Sequence, residues 1–131
     1  MRLLLDTHVA LWAITDSPRL PAGAKALIAD PANTVNVSAA TIWEIAIKHA
    51  LNRRGAGAMP LSAAAALDYF RESGYALLPV TPEHAQAVET LLNLHADPFD
   101  RMLIAQALTE PLRLVTHDPM LARYGEMVVQ V

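Results

Sequence analysis

The sequence predicts an α/β domain, a small and mostly parallel β-sheet covered by helices on both faces. Two observations predict it. Short runs such as Leu3-Leu4-Leu5 and Leu112 to Thr116 are apolar almost throughout, as strands buried on both faces must be. Helical stretches separate these runs, and strand–helix alternation is the signature of a parallel sheet. Composition agrees. Hydrophobic residues make up 53% of the chain but aromatic residues only 5%, so the core is aliphatic and alanine-rich. The 131 residues suit one domain, 1–131, with no repeat or second unit.

Arg2 to Asp6 reads as a strand with a carboxylate at its C-terminal end. Val9 to Ile14 is a brief helix ending before Pro18. Pro21 opens a second helix through Ile28, which Pro31 stops. Thr34 to Val37 is a second strand, rich in β-branched residues. Ser38 can cap the long helix from Ala39 to about Leu51, and a basic, flexible linker follows from Asn52 to Pro60. Leu61 to Glu72 is an Ala-rich helix with Gly74 just past its end. Ala76 to Val80 is a third strand. Thr81 and Pro82 cap and start another helix, with Ala85, Val88, Leu91 and Leu92 as its apolar stripe. Asp97 and Pro98 then cap and open a helix running past Ala107. Leu112 to Thr116 is a strand, Asp118-Pro119 starts a short helix, and Met127 to Val131 is the last strand.

Several function classes are excluded. There is no cysteine, hence no disulfide framework, thiolate metal site or cysteine nucleophile, and a reducing compartment such as the cytoplasm is expected. No apolar run reaches the ~18 residues of a membrane span, and Arg2 to Asp6 does not read as a signal peptide. A net charge of −3 argues against nucleic-acid binding by general basicity, but leaves room for a local basic patch or for metal ions. The five histidines show no H-x-x-x-H or H-E-x-x-H spacing, and no phosphate-binding glycine loop or nucleophile elbow is present.

Four carboxylates stand out instead. In α/β sheets, ligands bind outside the carboxyl ends of the strands, and Asp6 and Asp118 sit there. Glu44 lies in the nearly apolar stretch Ala39 to Ile47; its simplest alternative is a surface pair with Lys48, worth a few tenths of a kcal/mol. Asp100 heads the apolar face formed by Leu103, Ile104, Ala107 and Leu108. Asp97 is read as a helix cap. Two carboxylates ~4 Å apart repel by roughly 4 kcal/mol at an effective dielectric of ~20. Either their pKa values rise or a cation sits among them. Oxygen ligands favour Mg²⁺ or Mn²⁺, and such ions support attack of water on a phosphodiester. His8, His95 and His117 fit hydrogen-bonding roles near these acids rather than ligation. Lys48, His49, Arg53 and Arg54 form a basic cluster, read equally as a solvated helix end or a phosphate track, with Arg101 a further candidate for phosphate contact or charge balance.

Leu4 to His8, Ser38 to Lys48 with Glu44, Asp97 to Ala107, and Leu114 to Asp118 together resemble the PIN-domain ribonucleases, specifically the VapC-type toxins of bacterial toxin–antitoxin systems. The resemblance implies a three-layer α/β/α sandwich and Mg²⁺-dependent cleavage of RNA. It makes Asp6, Glu44, Asp100 and Asp118 the acidic quartet that holds the metal. It also implies a cognate antitoxin as partner, and a homodimer or toxin–antitoxin hetero-oligomer. Leu11 and Trp12 are candidates for such an interface, although a core position suits them better. The residues alone leave two alternatives: a non-catalytic, Rossmann-like module binding a nucleotide or partner, and a receiver-like phosphoacceptor using Asp6.

Overall fold

Five strands, β1 (Arg2–Leu5), β2 (Thr34–Ser38), β3 (Ala76–Leu78), β4 (Arg113–Thr116) and β5 (Val128–Gln130), form one sheet in the order β3-β2-β1-β4-β5. Every neighbouring pair is parallel, with Leu4 opposite Asn36 on one side and Leu114 on the other. The computed structural model describes residues 1–51 and 59–131. Most of the expected linker, including Arg53 and Arg54, lies outside the described residues.

Alternation along β1 divides the core in two. Leu3 and Leu5 face one side, with Val115 of β4, and meet helices α1 (Thr7–Ile14), α2 (Ala22–Ala29), α3 (Ala39–Leu51) and α4 (Ala63–Glu72). Leu4 and Leu114 face the other, against α6 (Pro98–Thr109) and α7 (Pro119–Ala122). Successive strand residues point to opposite faces, so burial on both sides requires consecutive apolar residues, Leu3 to Leu5 in β1 and Leu114-Val115 in β4. The result is the expected three-layer α/β/α sandwich. Among the described residues, no helix is long and apolar enough to cross a membrane.

Local chemistry sets most helix ends. The Ser62 hydroxyl accepts the Ala65 amide, so α4 starts at Ala63 rather than Leu61. At its other end, Gly74 takes a φ of 77°, while the Gly74 and Tyr75 amides donate to Arg71 and Phe70. This reversal favours glycine and satisfies the last carbonyls of the helix.

The helix expected from Pro82 through Leu92 departs most from the sequence pattern. α5 (Pro82–Ala87) is followed only by a 3₁₀ turn at Val88–Thr90, leaving Ala85 and Leu92 exposed. The buried side chain is His84, 1% exposed. Its Nδ1 accepts the Thr81 amide, and its Nε2 lies 2.6 Å from Glu110 Oε2. Gln106 Nε2 lies 3.3 Å from the same Nδ1 and donates to the Pro79 carbonyl. A buried imidazole is tolerated when its polar atoms are paired, and here the partners come from 22 and 26 residues away. Arg101 fixes the segment beyond α5. Its guanidinium donates to the Val88, Leu92 and His95 carbonyls and to the Tyr124 hydroxyl. Arg101 is therefore engaged in holding backbone, which corrects its reading as a phosphate contact.

Candidate metal centre

The chain passes from β1 to β2 and β3 on one side of the sheet, then returns to β4 and β5 on the other. The crevice at this reversal opens at the carboxyl ends of β1 and β4, where α/β sheets place their ligands. Asp6 follows β1 directly. It caps α1, and Oδ1 accepts the Val9 amide at 2.8 Å. Oδ2 accepts the Thr116 hydroxyl at 2.5 Å. Thr116 ends β4, and its oxygen in turn accepts the Asp118 amide at 3.0 Å. One buried hydroxyl thus links the two strand-end aspartates. Asp118 caps α7 through the Met120 amide, as its position before Pro119 suggested.

Glu44 arrives from α3, whose buried stripe includes Thr41, Glu44 and Ile45. Oε1 accepts the Thr7 hydroxyl at 2.7 Å, and with that proton committed Thr41 donates to Thr7 at 3.2 Å. Oε2 meets Lys48 Nζ at 2.5 Å. The pairing with Lys48 is real, yet Glu44 is only 3% exposed, so it is not a surface pair. Burial works against the Lys48 ammonium. The Glu44 hydrogen bond and charge, reinforced by Asp97 and Asp100, outweigh that and raise its pKa. Lys48 is thus a cation held among the acids. Replacing it leaves a buried carboxylate short of a partner. Lys48→Met should destabilise the fold by about 1–3 kcal/mol, discounted because the lysine is partly exposed. Thermal denaturation should show most of the loss recovered in the E44Q/K48M double variant, as expected for coupled neighbours.

Asp97 caps α6 as read from the sequence, its Oδ1 accepting the Phe99 and Asp100 amides. Asp100, in the first turn, points its carboxylate back toward the crevice, where Oδ2 lies 2.8 Å from His95 Nε2. Burial pushes its pKa up to about 6; the His95 bond opposes this, and the charges of Asp97, Asp6 and Glu44 add to it. Burial likewise raises Asp6, against the lowering effects of Thr116, Val9 and His8. The charges of all these acids therefore act on one another. Among the described residues, His95, Asp100 and Asp118 offer ligand atoms within 4.8 Å of one another.

The structure thus gathers Asp100 and Asp118 with His95, and sets Asp6 and Glu44 near enough to act on Asp100 electrostatically. The carboxylate-rich donor set, repelling itself, fits a hard divalent cation. Thr7 and Thr116 escaped notice as site residues. Their only sequence signal is a hydroxyl beside an acid at the end of an apolar strand. His95 takes the expected hydrogen-bonding role, while its place in the three-residue group exceeds it. Leu11 is core, 5% exposed, and Trp12 packs partly on it.

A parallel sheet with an acidic crevice at its point of reversal defines the class: an α/β domain carrying a carboxylate site. The model of the PIN domain matches residues 3–127, and the chain belongs to the PIN domain family. It is similar in fold to a chain in the crystal structure of VapBC2 from Rickettsia felis bound to a DNA fragment from their promoter. That match has a TM-score of 0.70 at 17% identity, covering 100% of this chain and 98% of that one. FitAcB from Neisseria gonorrhoeae matches with a TM-score of 0.55 at 20% identity, covering 91% and 89%. No curated protein sequence matches significantly.

Proposed function

We propose that this protein is a Mg²⁺-dependent endoribonuclease, the toxin of a toxin–antitoxin pair acting in the cytoplasm. Asp6, Glu44, Asp100 and Asp118 would hold the ion, with Mn²⁺ as an alternative. The observation that carries the reading is the grouping of Asp100 and Asp118 with His95, their ligand atoms within 4.8 Å of one another, at a site where burial first, and the charges of Asp97, Asp6 and Glu44 in addition, lift Asp100 to about 6. Membership of the PIN family supports nuclease chemistry, and the likeness to VapBC2 and FitAcB supports a small antitoxin as partner. A homodimer or a hetero-oligomer with that antitoxin is the assembly this reading favours.

When bound, the divalent ion supplies Lewis acidity, lowering the pKa of water and offsetting charge on the phosphate. The chain's residues supply orientation. The Val9 amide and Thr116 fix Asp6, Thr7 and Lys48 fix Glu44, and His95 fixes Asp100. Arg101 holds the His95 carbonyl, and so positions the imidazole from behind.

The test is incubation of a mixed RNA pool with the purified, partner-free protein in Mg²⁺ or EDTA, beside Asp6→Ala. Cleavage is expected only with Mg²⁺ and an intact Asp6. Cleavage in EDTA, or undiminished cleavage by Asp6→Ala, would count against a metal-dependent nuclease. A folded protein that neither cleaves RNA nor binds Mg²⁺ would instead indicate a non-catalytic binding module.

A further inference from the structure

Two imidazoles and an indole meet beside the acidic crevice and serve neither its carboxylates nor the core fully. The His8 ring centroid lies 5.9 Å from that of Trp12, tilted by 38°. The His117 ring meets the same indole edge-on, also at 5.9 Å. His117 Nδ1 donates to the Val131 carbonyl at 2.6 Å, which fixes that ring. Trp12 packs partly on the core, and this anchors the indole. Core packing does not account for the imidazoles, since His8 and His117 are both exposed.

Their location is specific. His8 lies two residues after Asp6, and its charge acts on that carboxylate. His117 directly precedes Asp118. The rings therefore border the carboxyl ends of β1 and β4. A cavity of about 410 Å³ adjoins His8 and Trp12, with Leu11, Thr15, Ser17, Arg19, Met59 and Pro60 completing its lining. That volume is within the roughly 300–1,000 Å³ of small-ligand sites. Flat rings for a π-face, hydroxyls for a base edge and a guanidinium for a phosphate together match one chemical class, an unpaired nucleotide. Proteins that hold single strands combine aromatic platforms and cations in this way, and preformed rings lose little freedom on binding.

We infer that Trp12, flanked by the tilted His8 ring and the edge-on His117 ring, forms a shelf on which one unpaired base of the RNA strand stacks, next to the phosphate presented to the carboxylates. The inference rests on the ribonuclease reading of the neighbouring site and adds to it a subsite for the base. Stacking is tolerant of base identity. The shelf therefore selects single-stranded over duplex RNA, while Ser17 offers a hydroxyl to the base edge and Arg19 a guanidinium to a phosphate.

The test separates binding from cleavage. In an Asp100→Asn/Trp43→Phe background, Trp12 is the single tryptophan and reports directly by fluorescence. A random-sequence single-stranded RNA 12-mer in Mg²⁺ should quench it, whereas an abasic ribose-phosphate 12-mer should not. His8→Ala and His117→Ala remove exposed rings, so they leave the fold intact by circular dichroism. Together they should weaken 12-mer binding about tenfold and abolish preference over the abasic strand, as read by filter binding. Trp12→Leu should do the same where it folds. Equal quenching by the abasic strand, or unchanged 12-mer affinity in the double histidine variant, overturns the shelf. So does unchanged RNA affinity in Trp12→Leu combined with loss of a cognate protein partner, which would make this face a protein-docking surface. Base-dependent quenching by a native protein that cleaves no RNA would preserve the shelf while refuting the nuclease reading.

Discussion

Asp100→Asn is expected to lose RNA cleavage by at least about a thousandfold while the metal-free protein becomes more stable. The first effect follows from removing a charged oxygen donor from the ion site, since a bound divalent ion supplies several kcal/mol of charge stabilisation. The second follows from burial of the charge, with repulsion added to it. Burial and the charges of Asp97, Asp6 and Glu44 hold the Asp100 carboxyl at about 6, so its ionised form is disfavoured in the fold at neutral pH. Asparagine removes that charge, and its side-chain oxygen can still accept the proton of His95 Nε2. A small part of the gain is returned, because an acid in the first helical turn is favoured by the helix dipole. The net gain should be about 1–2 kcal/mol, a rise of several degrees in Tm. Loss of both activity and stability would make Asp100 a structural residue. Gain of stability with loss of activity is the pattern of a functional site strained against its own fold.

The second large effect is an opposed response to pH and Mg²⁺. A carboxyl whose folded pKa lies above its unfolded value binds its proton more tightly when folded. Its contribution is therefore present at low pH and is lost as pH rises through about 6. Asp6, also raised, acts in the same direction, while Lys48, raised above its already high ordinary value, stays charged throughout. In EDTA, Tm should thus fall between pH 5 and pH 8, by an amount worth about 1.4 kcal/mol for Asp100 alone. Mg²⁺ should reverse this at pH 8, stabilising by about 2.7 kcal/mol at a hundredfold excess over its Kd. At pH 5 it should do little, because protons occupy the ligands. Cleavage should follow metal loading and decline as pH falls through about 6. Thermal denaturation at the two pH values, with and without Mg²⁺, checks every part. A Tm in EDTA that rises toward pH 8 would show that burial and neighbouring charge do not disfavour the ionised acids as the structure requires.

The legible part of this protein was local. Asp97 before Pro98 and Asp118 before Pro119 are caps wherever the chain folds, because each side chain reaches amides two or three residues ahead. Asp6 at the end of an apolar strand, and Asp100 at the head of an apolar helix face, were placed by periodicity alone. The stripe assigned to the helix after Thr81 was misread because its pattern resembles an amphipathic helix. Arg101, at least nine residues further on, instead binds the Val88 and Leu92 carbonyls and holds that segment out of helical form.

Sequence by itself determined the parallel sheet and most element ends, and singled out the four acids as candidates, since strand period, caps and apolar runs depend only on near neighbours. Tertiary structure alone decided how the polar groups are partnered: Thr116 with Asp6, Thr7 with Glu44 at a separation of 37 residues, Arg101 with the His95 carbonyl, and buried His84 with Glu110. The reason is physical. A buried polar group must find a partner, and the fold supplies that partner from wherever the packing brings one, at distances along the chain that carry no periodic signal.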